Sequence, residues 1–202
     1  MMNAAGKEKI FIHLTGGNEC YDYLKIKAPL MALGQELWEE GISFYPSEEL
    51  TAHLVNQFNV FVFHGVGLGN MYRQLQRLKD KRIIWFIDDL MTQTPSWNPA
   101  HNRLNYSKIE SYKSCLERAD LICCTTERLK EFTISEGDPS WKDKTIVLPN
   151  LLDMKRFPEY SPKQFKRFGW CGGNTHFGDI RILEPMVKSR YKEFIFFDRR
   201  CY

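Results

Sequence analysis

Eight short apolar runs set the limits on what this chain can fold into: Ile10–Leu14, Ile42–Tyr45, Val60–Phe63, Arg82–Ile87, Leu121–Cys124, Thr145–Leu148, Phe168–Cys171 and Phe194–Phe197. Most are nearly continuous hydrophobic stretches rather than alternating ones, the pattern of parallel strands covered on both faces. Between them lie longer segments with helical spacing. Ala28–Glu40 sets Leu30, Leu33, Leu37 and Trp38 on one side and stops at Gly41, a suitable residue just past a helix end. Asn70–Lys79, Tyr106–Ala119, Glu127–Ser135 and Asp179–Ser189 repeat the arrangement. Strands alternating with helices predict a doubly wound, Rossmann-like α/β parallel sheet with right-handed crossovers.

With 202 residues, 43 % hydrophobic and 14 % aromatic, the chain can bury one substantial core plus part of a second unit. A Pro-punctuated, charged stretch between Asp153 and Gln164 reads as a linker. It predicts a first domain over residues 1–155, followed by a linker and the start of a second domain over 156–202. The net charge of +3, from 28 basic and 25 acidic residues, lacks the clustered positive field of a dedicated nucleic-acid binder, and nucleic acid is not an expected partner. The basic helix face of Arg73, Arg77, Lys79, Lys81 and Arg82 reads first as a solvated face and second as a patch for an anionic partner. No run of 18 apolar residues predicts a membrane span, and the first apolar run is too short for a signal-peptide core. The six cysteines form neither a C-x-x-C pair nor a four-ligand zinc set. A reduced, cytoplasmic protein without a bound metal is expected.

Ligands of open α/β sheets bind beyond the carboxyl ends of the strands. Those ends carry Thr15-Gly16-Gly17-Asn18, His64-Gly65-Val66-Gly67, Asp88-Asp89 and Cys171-Gly172-Gly173-Asn174-Thr175-His176. Asp88 or Asp89 can take a proton from a hydroxyl at such an edge, or one of them can cap the segment that follows. Glycine pairs let backbone N–H groups approach a phosphate, or simply permit tight turns. Trp97, inside Pro-Ser-Trp-Asn-Pro, can stack on a sugar or base, or pin its own loop.

Several of these segments, in order, resemble a bacterial and phage group of GT-B-type glycosyltransferases similar to glycosyl transferases group 1. Phe86-Ile87-Asp88-Asp89-Leu90, Pro95-Ser96-Trp97-Asn98-Pro99, Glu117-Arg118-Ala119-Asp120 and Thr125-Thr126-Glu127 match its middle. Val147-Leu148-Pro149-Asn150 with Asp153 and Phe157 is similar to the crossing that ends its first domain. Tyr21 to Leu30 and Arg167 to His176 resemble the segment after its first strand and the first glycine loop of its donor domain.

The resemblance implies a protein that transfers sugar from a nucleoside-diphosphate sugar to an unidentified acceptor, retaining or inverting, with no cofactor beyond that donor. It assigns Asp88 and Asp89 as catalytic residues and Gly172, Gly173, Asn174 and His176 to the donor. Gly16, Gly17, Lys25, His64 and Trp97 go to the acceptor-side cleft. The donor domain is expected to be incomplete, leaving the chain inactive alone. The alternative expectation is a truncated, repurposed binding or structural module, paired with itself or with a partner chain.

Overall fold

The apolar runs do become strands. In a computed structural model, which describes residues 8–14, 26, 28–65, 70–150, 168–171, 177–189 and 194–197, contacts divide the chain into two compact units. The first contains residues 1–91 and 106–154, and the second contains 92–105 and 155–202.

The first unit is built on β1 (Lys9–His13), α1 (Ala28–Glu39), β2 (Ser43–Ser47), α2 (Ala52–Gln57), β3 (Val60–His64) and α3 (Asn70–Leu75). A 3-10 turn follows over Gln76–Leu78, and then β4 (Arg82–Ile87), α4 (Tyr106–Arg118), β5 (Leu121–Cys124), α5 (Glu127–Glu136), α6 (Trp141–Lys144) and β6 (Thr145–Val147). The six strands form one parallel sheet in the order β2-β1-β3-β4-β5-β6. This is an α/β Rossmann-like fold. The chain reverses direction across the sheet once, between β2 and β3, so the β1–β2 crossover lies on the opposite face from the later ones.

Strand β2 runs through Pro46, opposite Ile12, beyond the apolar run visible in the sequence. Proline lacks an N–H to donate, and β2 tolerates it because it is an edge strand. Helix α1 ends as its glycine predicts. Gly41 has φ 83°, its N–H donates to Trp38 O at 2.9 Å, and Ile42 N–H donates to Leu37 O at 2.8 Å. Both bonds of a Schellman cap are therefore present. Thr51 and Thr126 cap α2 and α5 by accepting from Leu54 N and Leu129 N.

The two sheet faces differ sharply. On one, Phe11, Phe61, Phe63, Ile83, Trp85 and Ile122 are fully buried, under Leu75, Leu78, Cys115 and Leu116. On the other, Phe44, Val62, Ile84, Phe86 and Leu121 are partly covered, while Ile12, Val60, His64 and Cys123 are buried. Helix α1 corrects the sequence reading: its apolar spacing predicts a buried face, yet no residue of the helix is buried. Met31 is 71 % exposed and Trp38 66 %.

Two cations fasten the end of α4. Arg118 Nη2 donates to the carbonyls of Leu78, Lys79 and Lys81, and its Nη1 lies 3.7 Å from Asp120, whose carboxylate accepts from Ile83 N–H at 2.7 Å. Lys144 Nζ donates to Leu116, Glu117 and Ala119 at 3.0, 2.6 and 2.8 Å, and desolvation lowers its pKa. These carbonyls lie at the C-terminal end of α4, its negative pole. Lys144→Met keeps most of the stem and removes the donors. A loss of about 1–2 kcal/mol is expected in urea unfolding.

The second unit contains β7 (Phe168–Cys171), α7 (Phe177–Ser189) and β8 (Phe194–Phe197), with β7 and β8 paired in parallel. The loop over residues 92–105 belongs with it.

Candidate functional site

Because all six strands of the first sheet are parallel, their carboxyl ends share one edge. His13 ends β1, His64 ends β3, Asp88-Asp89 follow β4 and Cys124 ends β5. Gly65, at φ 81°, turns the chain out of β3 in the left-handed region that favours glycine. Its N–H donates to Phe86 O at 3.2 Å, and its carbonyl accepts from Trp85 Nε1 at 3.0 Å. The turn is thus pinned to β4 on both sides.

His64 pairs in register with Phe86, and partners in parallel register point to the same face. Asp88 and Asp89 follow directly where β4 ends at Ile87, one residue past the level of His64. His64 is buried, Asp88 partly buried and Asp89 exposed. Desolvation, then the neighbouring Asp89 carboxylate, raises the Asp88 pKa to about 7. A carboxyl tuned to that range exchanges protons near neutrality.

On the opposite side of the edge, Tyr112 of α4 is 3 % exposed. Its hydroxyl makes no hydrogen bond among the described residues. Its pKa is raised by desolvation and by the nearby Cys124, Glu136 and Asp89. Burial pushes Cys115 up to about 12 and Cys123 to about 11, and raises Cys124 as well. Raised in this way, the thiols disfavour the reactive thiolate form at neutral pH. No group of three metal-ligating side chains occurs among the described residues, and none of their helices is long and apolar enough to cross a membrane.

Trp97 belongs to the second unit. It sits in a turn closed by Asn98 N–H to Pro95 O at 2.9 Å and by Ala100 N–H to Asn98 Oδ1 at 2.8 Å. Its ring covers Gly178 in the first turn of α7, where a Cβ would lie 2.3 Å from ring carbons. Only glycine allows that approach, and the ring still remains 45 % exposed.

Of the residues singled out from sequence, His64, Asp88 and Asp89 share one sheet edge, and Trp97 lies against α7. Gly16, Gly17, Lys25, Gly172, Gly173, Asn174 and His176 fall outside the described residues. Sequence reasoning missed His13, whose ring packs 5.7 Å from that of Phe63, and Tyr112. A polar residue closing an apolar strand was the available signal for His13. For Tyr112, inside an ordinary amphipathic helix, there was none.

The sheet order defines an α/β protein of Rossmann-like fold, and the solved structures it is similar to are GT-B-like. No protein-family model matches the sequence, and no curated protein matches it. Among solved structures it is similar to a Listeria monocytogenes protein provisionally named a UDP-N-acetylglucosamine 2-epimerase. The TM-score is 0.54 at 13 % identity, over 96 % of this chain and 62 % of that one. The chain therefore spans less than two thirds of that protein's length, and at such identity the likeness concerns the fold. Anabaena Alr3699/HepE in complex with UDP aligns with a TM-score of 0.43 at 11 % identity, over 95 % of this chain and 69 % of that one.

Proposed function

We propose that the chain is a glycosyltransferase-like protein of the bacterial and phage group 1 type, transferring sugar from a nucleoside-diphosphate donor to a hydroxyl acceptor. The reading is supported above all by Asp88, a partly buried carboxyl at the carboxyl end of β4 with its pKa near 7. In this scheme Asp88 takes the acceptor proton, the acceptor oxygen bonds to the sugar anomeric carbon, and the diphosphate leaves with the electrons of the broken C–O bond. Asp89 sets a second carboxyl beside the base. Gly172, Gly173, Asn174 and His176 would cradle the departing diphosphate, where N–H donors and positive charge act most strongly. Gly16, Gly17, Lys25, His64 and Trp97 would border the acceptor. No resident cofactor is required, and the working compartment is the cytoplasm.

Calorimetric titration with UDP-, GDP- and dTDP-sugars, followed by turnover with simple hydroxyl acceptors, tests the proposal. Binding of one donor at micromolar to millimolar strength with measurable transfer is expected. Absence of both binding and transfer removes the enzyme reading for this chain.

The exposed apolar side chains of α1, with Met31 71 % and Trp38 66 % exposed, favour a second reading: a non-catalytic module that associates with itself or with a partner chain. Light scattering separates the two, since a clean monomer that turns over donor excludes the module.

A further inference from the structure

The chain leaves the first unit after Met91 and returns to it at Tyr106, and residues 92–105 in between belong with the second unit. The near end of this segment is seated firmly, since Leu90 and Met91, directly after Asp89, pack against the core of the first unit. The far end runs into α4. In the middle the segment folds on itself. 3-10 turns over Met91–Gln93 and His101–Arg103 flank the turn that Asn98 N–H closes on Pro95 O, and His101 Nδ1 lies 2.7 Å from the Thr94 carbonyl. Pro95 and Pro99 stiffen it and lower the entropy lost on ordering. Connections of this length are uncommon in compact units and usually serve a function. The middle meets α7 through Trp97, whose Cε3 and Cζ3 stand 2.3 Å from where a Cβ on Gly178 would lie. Gly178 has no positive φ, so its backbone does not call for glycine, and helices disfavour glycine against alanine. The indole is what calls for it.

We propose that residues 92–105 are a strap, latched by Trp97 on Gly178, that sets the placement of the Asp88–Asp89 pair, with Gly178 as a positioning residue. The task of the pair rests on the transferase reading, whereas the strap and its latch do not. The link from latch to pair is short and stiff. Leu90 and Met91 are packed, and the 3-10 turn over Met91–Gln93 leaves no slack before the folded middle of the strap. A displacement of that middle is therefore passed to the residues at its base. Asp88 is sensitive to such a displacement because it is only partly buried, with an exposed carboxyl beside it. A small movement changes how much water reaches it, and with that the pH at which it takes up a proton. The latch itself is a single ring, 45 % exposed, so few apolar contacts hold it and it can open without unfolding either unit.

Gly178→Ala in the full chain is the test, because the added methyl must push the indole away and Gly178 has no part in the proposed binding. Trypsin cutting at Arg103, the only Lys or Arg within residues 92–105, is expected to quicken at least about tenfold, since cleavage follows the population of the open strap. The carboxyl carbon resonance of Asp88, identified by its loss in Asp88→Asn, should titrate near pH 7 in the unaltered chain and about one pH unit lower in Gly178→Ala, as water reaches the group. Sugar transfer should fall by about tenfold or more, with its pH limb moving alongside that resonance. Trp97→Ala, which removes the ring and leaves α7 unaltered, supplies the same reading if Gly178→Ala does not fold by circular dichroism. Adding Gly178→Ala to Trp97→Ala should then change nothing further, since the partner is already gone. Faster cutting at Arg103 with an unmoved Asp88 titration would overturn the proposal, because the latch would hold the strap without placing the pair. Unchanged cutting in both variants would overturn it as well. A moved Asp88 titration in a chain that neither binds nor uses a nucleotide sugar would remove the transferase reading and leave the strap standing.

Discussion

Asp88→Asn is expected to do two opposite things at pH 8: depress sugar transfer by about 10²–10⁴-fold and stabilise the fold by about 1–2 kcal/mol. Both effects come from one cause, the cost of holding a charged carboxylate in a partly dry position beside a second one. The folded pKa of about 7 lies above the ordinary value of 3.8. Between those values the folded state holds the proton that the unfolded chain has already released, so stability falls as pH rises from about 4 to 7 and stays at the lower level above it. Asp88 is not fully enclosed, so solvent screening holds the stability change to that size. Asparagine is neutral throughout, so its advantage is present at pH 8 and vanishes at pH 4, where aspartic acid is neutral too. Urea unfolding at the two pH values measures this directly, and equal stabilities at pH 8 would show that Asp88 carries no such burden. The charged form is also the base, so transfer should rise with pH and level off above about 7. In Asp89→Asn that limb should move to lower pH, because one of the two causes raising the Asp88 pKa is gone.

How much of this was legible in the sequence follows from what kind of information each feature needs. The strands were legible because a parallel sheet buries both faces and writes its strands as apolar runs. Gly41 was legible as a helix stop because its left-handed φ is a local demand. The last two residues of β2 were not, since Pro46 reads as a break and becomes acceptable only at a sheet edge, a fact of topology. Helix α2 has six residues, too few for a period to register, although Thr51 marks its start. The spacing of Leu30, Leu33, Leu37 and Trp38 reports an amphipathic helix correctly and says nothing about how closely anything packs on it. That is why the expected buried face is absent and a cavity lies beneath α1. At the site, Asp88-Asp89 stood out as two charges ending an apolar strand, but which of them is desolvated depends on the pleat and on the neighbouring strands. The pairing of Trp97 with Gly178 joins segments far apart in the chain, so neither end signals the other.

The edge that carries Asp88 is held by Trp85, and its replacement is expected to have the largest effect on the fold. Trp85 is fully buried, stacks on Phe63 at 5.3 Å between ring centroids, and donates from Nε1 to the Gly65 carbonyl at 3.0 Å. Trp85→Ala removes the ring and leaves a void in the middle of the core, for which about 3–5 kcal/mol is the usual cost. A domain of this size has a total stability of only about 5–15 kcal/mol, so the variant should unfold at much lower urea concentration or fail to accumulate. Trp85→Phe separates packing from anchoring. It keeps an aromatic ring on Phe63 and loses the donor, leaving the Gly65 carbonyl to rely on whatever the β3 turn can offer it. About 1–3 kcal/mol of destabilisation is expected there. Amide exchange should quicken at Gly65, whose N–H bond to Phe86 depends on the turn staying seated, more than at Ile122 in the same core. Equal acceleration at both positions would mean that the indole serves only as core volume. Selective loosening at Gly65 would identify Trp85 as the residue through which the packed core fixes the turn beside the candidate base.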